Sequence, residues 1–215
     1  MMSAILLLTT LVIAFLLGSV PWGIIIARLF YKTDIRAHGS GNIGTTNAMR
    51  TLGKRGGGSV FVLDFGKGLL AGFLGWLIFT YLVPLDDTLF HQSDFLAAAF
   101  AGCTLGHVFS PWLKFKGGKG IAVAVGCLFF TFGWLGTLIE LGIFIVLVLL
   151  TRYVSIGSLA AAFACPFIGL WLLWGDWVAV AFCTLTSLVI IWAHRGNIKR
   201  LAEGNEHRIG KRKAE

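Results

Sequence analysis

Between Gly39 and Arg50 the chain reads Gly-Ser-Gly-Asn-Ile-Gly-Thr-Thr-Asn-Ala-Met-Arg, a polar, glycine-punctuated segment inside an otherwise apolar protein. Gly39 and Gly41, with Gly44, free the backbone to turn so that successive N–H groups can point at one anion. Ser40, Asn42, Thr45, Thr46 and Asn47 add hydroxyls and amides, and Arg50 presents a planar fork that suits phosphate. A second polar stretch, Lys114-Phe-Lys116-Gly117-Gly118-Lys119-Gly120, stands directly before an apolar run. Glycine N–H groups, lysines and a helix N-terminus together make a seat for a phosphate group. It is not a nucleotide P-loop, which would need glycine at Leu113 and a hydroxyl at Gly120. A third stretch, His194-Arg-Gly-Asn197-Ile-Lys-Arg200, puts His194 and Asn197 three apart, on one face if the preceding helix continues. Asn197 can then donate to an oxyanion or phosphate.

Each stretch has a plainer reading. The first is then a solvated loop entering a helix capped by Ser40 or Thr46, and Lys114 and Lys116 are anchors at anionic lipid. His194 alone would satisfy a membrane boundary. Three such stretches in one chain favour a phosphate site. A Ser-His-Asp nucleophile is not supported, because no G-x-S-x-G elbow accompanies Ser40. With few carboxylates on the basic side and no paired acidic or H-E-x-x-H motif, no metal and no cofactor is expected. Phosphate charge falls to Arg, Lys and N–H groups.

The elements that must position these residues are membrane helices. The 215 residues are 57% hydrophobic and 13% charged, with a mean hydropathy of +0.83, outside the range of soluble domains. The net charge of +8 does not indicate nucleic acid, since the basic residues sit in short segments between apolar runs rather than on one face of a soluble body. Cys103, Cys127, Cys165 and Cys183 lie within apolar runs and read as buried small hydrophobes. No Lys or Arg precedes Arg28, so Met1 to Leu17 is expected to be a retained membrane helix rather than a secretory signal.

Apolar runs recur at Ala4 to Phe30, Ser59 to Val83, Phe95 to Leu113, Gly120 to Leu150, Ser155 to Trp174 and Trp177 to Ala193. The fourth is too long for one comfortable crossing and can turn at Thr131 to Gly136. If it crosses twice, the basic loops and the basic end all fall on one side of the bilayer. The expectation is an all-α integral membrane protein, a seven-transmembrane-helix bundle with its N-terminus outside and its C-terminus cytoplasmic. Residues 1–202 are expected to form a single transmembrane catalytic domain, and residues 203–215 a basic cytoplasmic tail drawn to anionic membrane lipids. Gly68-x-x-x-Gly72 and Gly102-x-x-x-Gly106 are packing devices that let helices approach closely. Asp64 and Lys67, three apart, are either a neutralising pair or a wall of the site; His107 can brace the lysine turn; Glu140 falls near the outer surface.

The three polar stretches, in this order, resemble the signature of the bacterial PlsY family of membrane-integral acyl-phosphate:glycerol-3-phosphate acyltransferases. The resemblance rests on Gly39 to Asn47 with Arg50, on Gly106-His107 followed by Lys116 to Gly120, and on His194-x-x-Asn197-Ile-x-Arg-Leu201 with Gly204 and Glu206. It implies transfer of a fatty acyl group from acyl phosphate to the 1-hydroxyl of glycerol 3-phosphate, the first acylation of phospholipid synthesis. It also implies a multi-pass protein of the bacterial inner membrane with its active site toward the cytoplasm; a monomer is expected. Ser40, Arg50, Lys119, His194 and Asn197 match the family's catalytic positions. Gly39, Gly41, Asn42, Thr46, Asn47, Lys116, Gly117, Gly118, Gly120 and Glu206 are the expected substrate-binding set, with Gly117, Gly118 and Gly120 as the acyl-phosphate turn. Either His194 or a substrate phosphate removes the glycerol proton. Thr45 departs from the family pattern, where alanine is commoner. None of the five histidines is followed five residues on by Asp, so the H-x-x-x-x-D of acyl-CoA-dependent enzymes is missing. The rival expectation is a membrane carrier for small phosphorylated metabolites, which would place its charges near the middle of the bilayer.

Overall fold

The computed structural model describes residues 1–210; the last basic residues of the expected tail lie outside the described residues. It is all-helical, with nine α-helices among the described residues: α1 Met2–Ser19, α2 Trp22–Tyr31, α3 Thr45–Leu82, α4 Gln92–Val108, α5 Ile121–Thr131, α6 Gly133–Thr151, α7 Val154–Leu172, α8 Trp177–Ala193 and α9 Arg195–Ala202. Among the described residues, five stretches are long and apolar enough to cross a membrane, α1 and α2 counting as one, and α8 with α9, bent by 51°, makes a sixth. The expected turn in the fourth apolar run is present, with the helix breaking at Phe132. Its first half, α5, has 11 residues and rises only ~16 Å at the usual pitch. The apolar run expected from Ala4 to Phe30 is also divided, because Pro21 holds Val20 extended (φ −61°, ψ 117°) and ends α1.

Helix α4 is the centre of the bundle, with 78% of its span buried and with α1, α3, α5 and α8 packed around it. Its inner residues are small, such as Ala97, Ala99 and Cys103, so neighbours approach closely. The paired glycines do what their spacing predicts. A Cβ on Gly102 or Gly106 would collide with α1 backbone at Leu11 or Phe15, and one on Gly68 with α5 backbone at Val123. All four cysteines are buried and free.

The polar segment 39–50 is less of a loop than expected, because α3 begins inside it at Thr45. Gly53 interrupts this long helix with φ 77° and ψ −174°, a conformation that suits glycine. At the other end, the stretch expected to be a tail from Glu203 first folds back. Asn205 N–H donates to Arg200 O at 2.8 Å and Ile209 N–H to Arg152 O at 2.8 Å.

Candidate active site

The first polar stretch is organised by one amide. Asn47, 2% exposed, accepts from Ser40 N–H at 2.9 Å and donates through Nδ2 toward Ile35 O, His38 O and Asn42 O at 3.1, 3.1 and 2.8 Å. Its side chain therefore holds the loop, and its polar atoms are engaged with backbone rather than offered to a ligand. Gly39, at φ 60°, is required by the same contact, since a Cβ there would strike Asn47 Oδ1. Gly41, at φ 70°, closes the turn through its N–H to His38 O at 3.0 Å. Asn42 accepts from Gly44 N–H at 2.9 Å, shaping the entry to α3. Ser40, Asn42, Thr45, Thr46 and Arg50 then line a cavity at the start of that helix.

The lysine turn is folded back onto the end of α4. Lys114 and Phe115 both have left-handed backbones (φ 53° and 60°), held by Lys114 N–H to Pro111 O at 3.1 Å and Phe115 N–H to Ser110 O at 2.9 Å. Ser110 in turn donates to Ser19 O at 2.6 Å. Gly117 N–H donates to Val108 O at 2.9 Å and Gly118 N–H to His107 O at 3.0 Å. These two glycines, expected to cradle phosphate, spend their donors on α4 and do not line the cavity; a Cβ on Gly118 would overlap the His107 ring. Lys116 is exposed and also stands away from the cavity. What the turn delivers is Lys119 and Gly120, both of which line it. Burial lowers the Lys119 ammonium to about 8, an effect that nearby Arg200 and Arg50 reinforce and Glu206 opposes.

The third stretch sits on the bend between α8 and α9. His194, 2% exposed, has Nδ1 2.8 Å from Ile190 O. A carbonyl only accepts, so Nδ1 carries a proton and the neutral ring keeps a lone pair on Nε2. Glu206 comes back from beyond Gly204 to accept from Asn197 Nδ2 at 2.8 Å and from Arg200 Nε at 2.8 Å. Each carboxylate oxygen thus has a partner, and Glu206, expected in the substrate-binding set, aims an amide and a guanidinium while lining the cavity.

The three stretches meet. Ser40, Arg50, Lys119, His194 and Asn197 line one cavity of about 330 Å³ together with Thr46, Asn47, Gly120 and Glu206; Gly39 and Gly41 do not. Three cations, Arg50, Lys119 and Arg200, line it with two carboxylates, Glu206 and Asp64; since Asp64 is ion-paired with Lys67 outside the lining, a surplus of positive charge suited to a phosphate dianion remains. Much of the rest of the wall is hydrocarbon, with Phe61, Val125, Leu141, Phe144 and Ile145, interrupted by Ser155 and Ser158. One cavity therefore offers a cationic end to a phosphate and an apolar wall to an alkyl chain.

Sequence reasoning missed Arg200 as a site residue, although it is three residues beyond Asn197 at helical spacing. Asp64 and His107 also line the cavity. Behind them Lys67 donates to Val20 O at 2.9 Å, the carbonyl beside the Pro21 break, and to His107 Nδ1 at 3.0 Å. Its ion pair with Asp64 is 2.9 Å long, both side chains being 2% exposed. The two readings left open for Asp64 and Lys67 thus both hold, the pair being neutral and its carboxylate a wall of the site.

Comparison with known proteins gives one direction. The family model for Glycerol-3-phosphate acyltransferase matches residues 8–204. A glycerol-3-phosphate acyltransferase of Rhodopseudomonas palustris is 40% identical over 206 residues, 96% of this chain and 97% of that one. One from Listeria monocytogenes is 37% identical over 197 residues, 92% and 93% of the two chains. Among solved structures, the glycerol 3-phosphate form of PlsY, an integral membrane glycerol 3-phosphate acyltransferase, superposes with a TM-score of 0.82 at 33% identity, covering 95% of this chain and 96% of that one. Its lysophosphatidic acid form gives 0.78 at 32% identity, with 95% of each chain covered.

Proposed function

Since the chain belongs to the glycerol-3-phosphate acyltransferase family, we propose that it moves a fatty acyl group from acyl phosphate to the 1-hydroxyl of sn-glycerol 3-phosphate. The products are lysophosphatidate and inorganic phosphate. The observation that carries this reading is the cavity's division into a cationic end and a hydrocarbon wall. An acyl phosphate has the same division, and its carbonyl lies at the boundary.

The donor is already activated, so the protein has to hold two phosphates in place and stabilise charge at the carbonyl. Arg50, Lys119 and Arg200 neutralise the phosphates, with Ser40, Thr46 and Asn197 as hydrogen-bonding partners. The glycerol oxygen forms its bond to the acyl carbon as the bond from that carbon to the phosphate oxygen breaks, and the hydroxyl proton passes to phosphate. His194, its Nδ1 proton fixed on Ile190 O, keeps Nε2 as an acceptor that orients the attacking hydroxyl. Asn47, Gly39, Gly117, Gly118 and Glu206 serve as positioning residues. The expected arrangement is a single catalytic domain of seven crossings, monomeric in the inner membrane, with the cationic end toward the cytoplasm, the side that carries the basic loops.

The test is an assay of purified protein with radiolabelled glycerol 3-phosphate. Acyl phosphate should give lysophosphatidate and phosphate in equal amounts, and acyl-CoA should give none. Product formed from acyl-CoA alone would overturn the donor assignment; flux of glycerol 3-phosphate across vesicles without product would favour the carrier.

A further inference from the structure

A second, smaller cavity of about 40 Å³ shares Ile121, Val125, Leu141 and Phe144 with the first. Its wall is otherwise almost wholly apolar, with Glu140 and Ser187 as exceptions. Glu140 is 3% exposed and Ser187 1%. Glu140 Oε1 and Ser187 Oγ find no hydrogen-bond partner among the described residues. Polar atoms orphaned in an apolar wall cost stability, so two of them lining one cavity call for a reason.

We propose that this second cavity receives the methyl end of the acyl chain, and that Glu140 and Ser187 set the length of chain the enzyme accepts. The inference rests on the acyltransferase reading above. The first cavity follows α5 as far as Val125 and the second reaches Leu128, ~4.5 Å further along the helix. Each methylene that fits is removed from water into a shaped apolar wall, and an extra one buried favours binding about fourfold. A chain one step too long has to press hydrocarbon against a carboxyl and a hydroxyl, sealing both away from any polar partner. Affinity therefore rises with length and then drops in a step instead of levelling off.

The experiment is a profile of kcat/KM over saturated acyl phosphates of increasing length, with glycerol 3-phosphate as acceptor and full-length protein in detergent. Glu140→Ala should move the drop to longer chains, with the first rejected chain gaining at least about fourfold. Ala161→Leu, which fills the second cavity, should move it to shorter ones. If Glu140→Ala does not fold, Ser187→Ala, which removes only a hydroxyl, carries the same expectation with a smaller shift. Unchanged profiles in all variants overturn the proposal, as does a profile moved by Ala161→Leu but by neither polar substitution. A wild-type protein that acylates glycerol 3-phosphate from no acyl phosphate at all sinks the underlying donor assignment instead, and the two failures are told apart by that control.

Discussion

Asp64, Lys67 and His107, at the back of the cavity, pair a lysine, a histidine and a carboxylate as do Lys119, His194 and Glu206 beside Arg50 and Arg200, yet the two groups behave oppositely. In the first, Lys67 donates to Val20 O and His107 Nδ1, and its ion pair with Asp64 cancels its own charge inside the bundle. In the second, one carboxylate stands against three cations, and Glu206 spends both oxygens on Asn197 and Arg200. The first group joins α1, α3 and α4; the second is left with an appetite for anions. The proposed site is the one where charge is not balanced from within, and residue type alone does not distinguish the two cases.

The comparison is broken most severely at Lys67. Lys67→Met leaves Asp64 buried and unpaired, and should cost about 3–5 kcal/mol of stability, measured as a large fall in Tm; the double variant Asp64→Asn with Lys67→Met should recover much of it. Lys119→Met should do the reverse, lowering kcat/KM by about 100- to 1,000-fold while Tm stays within a degree or two of wild type. A Tm loss as large as that of Lys67→Met would show that Lys119 is structural. Glu206→Gln should lower kcat roughly tenfold without raising KM for glycerol 3-phosphate, because local positive charge increases while Asn197 and Arg200 lose their alignment; a pure rise in KM would make Glu206 a substrate contact after all. The smallest effect is one of pH. The charged, phosphate-binding form of Lys119 is the low-pH form, so kcat/KM of the free enzyme should hold below about 8 and fall as pH rises through it. Lys119→Arg, which stays charged, should lose that alkaline limb.

Much of this was legible in the sequence because it depends on local pattern. The glycine spacings predicted close helix packing, though not that the partners would be α1 and α5; the break at Phe132 followed from the length of one apolar run, and the cavity gathers the three polar stretches. What the sequence concealed depends on partners distant along the chain. Gly117 and Gly118 look like phosphate ligands until Val108 O and His107 O are seen to take their N–H groups. Asn47 looks like a donor to substrate until its amide is found filled by the backbone of residues 35–42. Arg200 was obscured because the residue that aims it, Glu206, arrives only after the chain reverses at Gly204.

Helix α5 has 11 residues, about half of what the hydrocarbon layer requires, and a hydrophilic turn precedes it. For the reaction proposed above, a water-loving acceptor would travel down along the turn while an oily donor slides in beside the helix, and neither would have to abandon the phase it dissolves in. On that reading, shortening one helix turns the protein into a junction between two solvents.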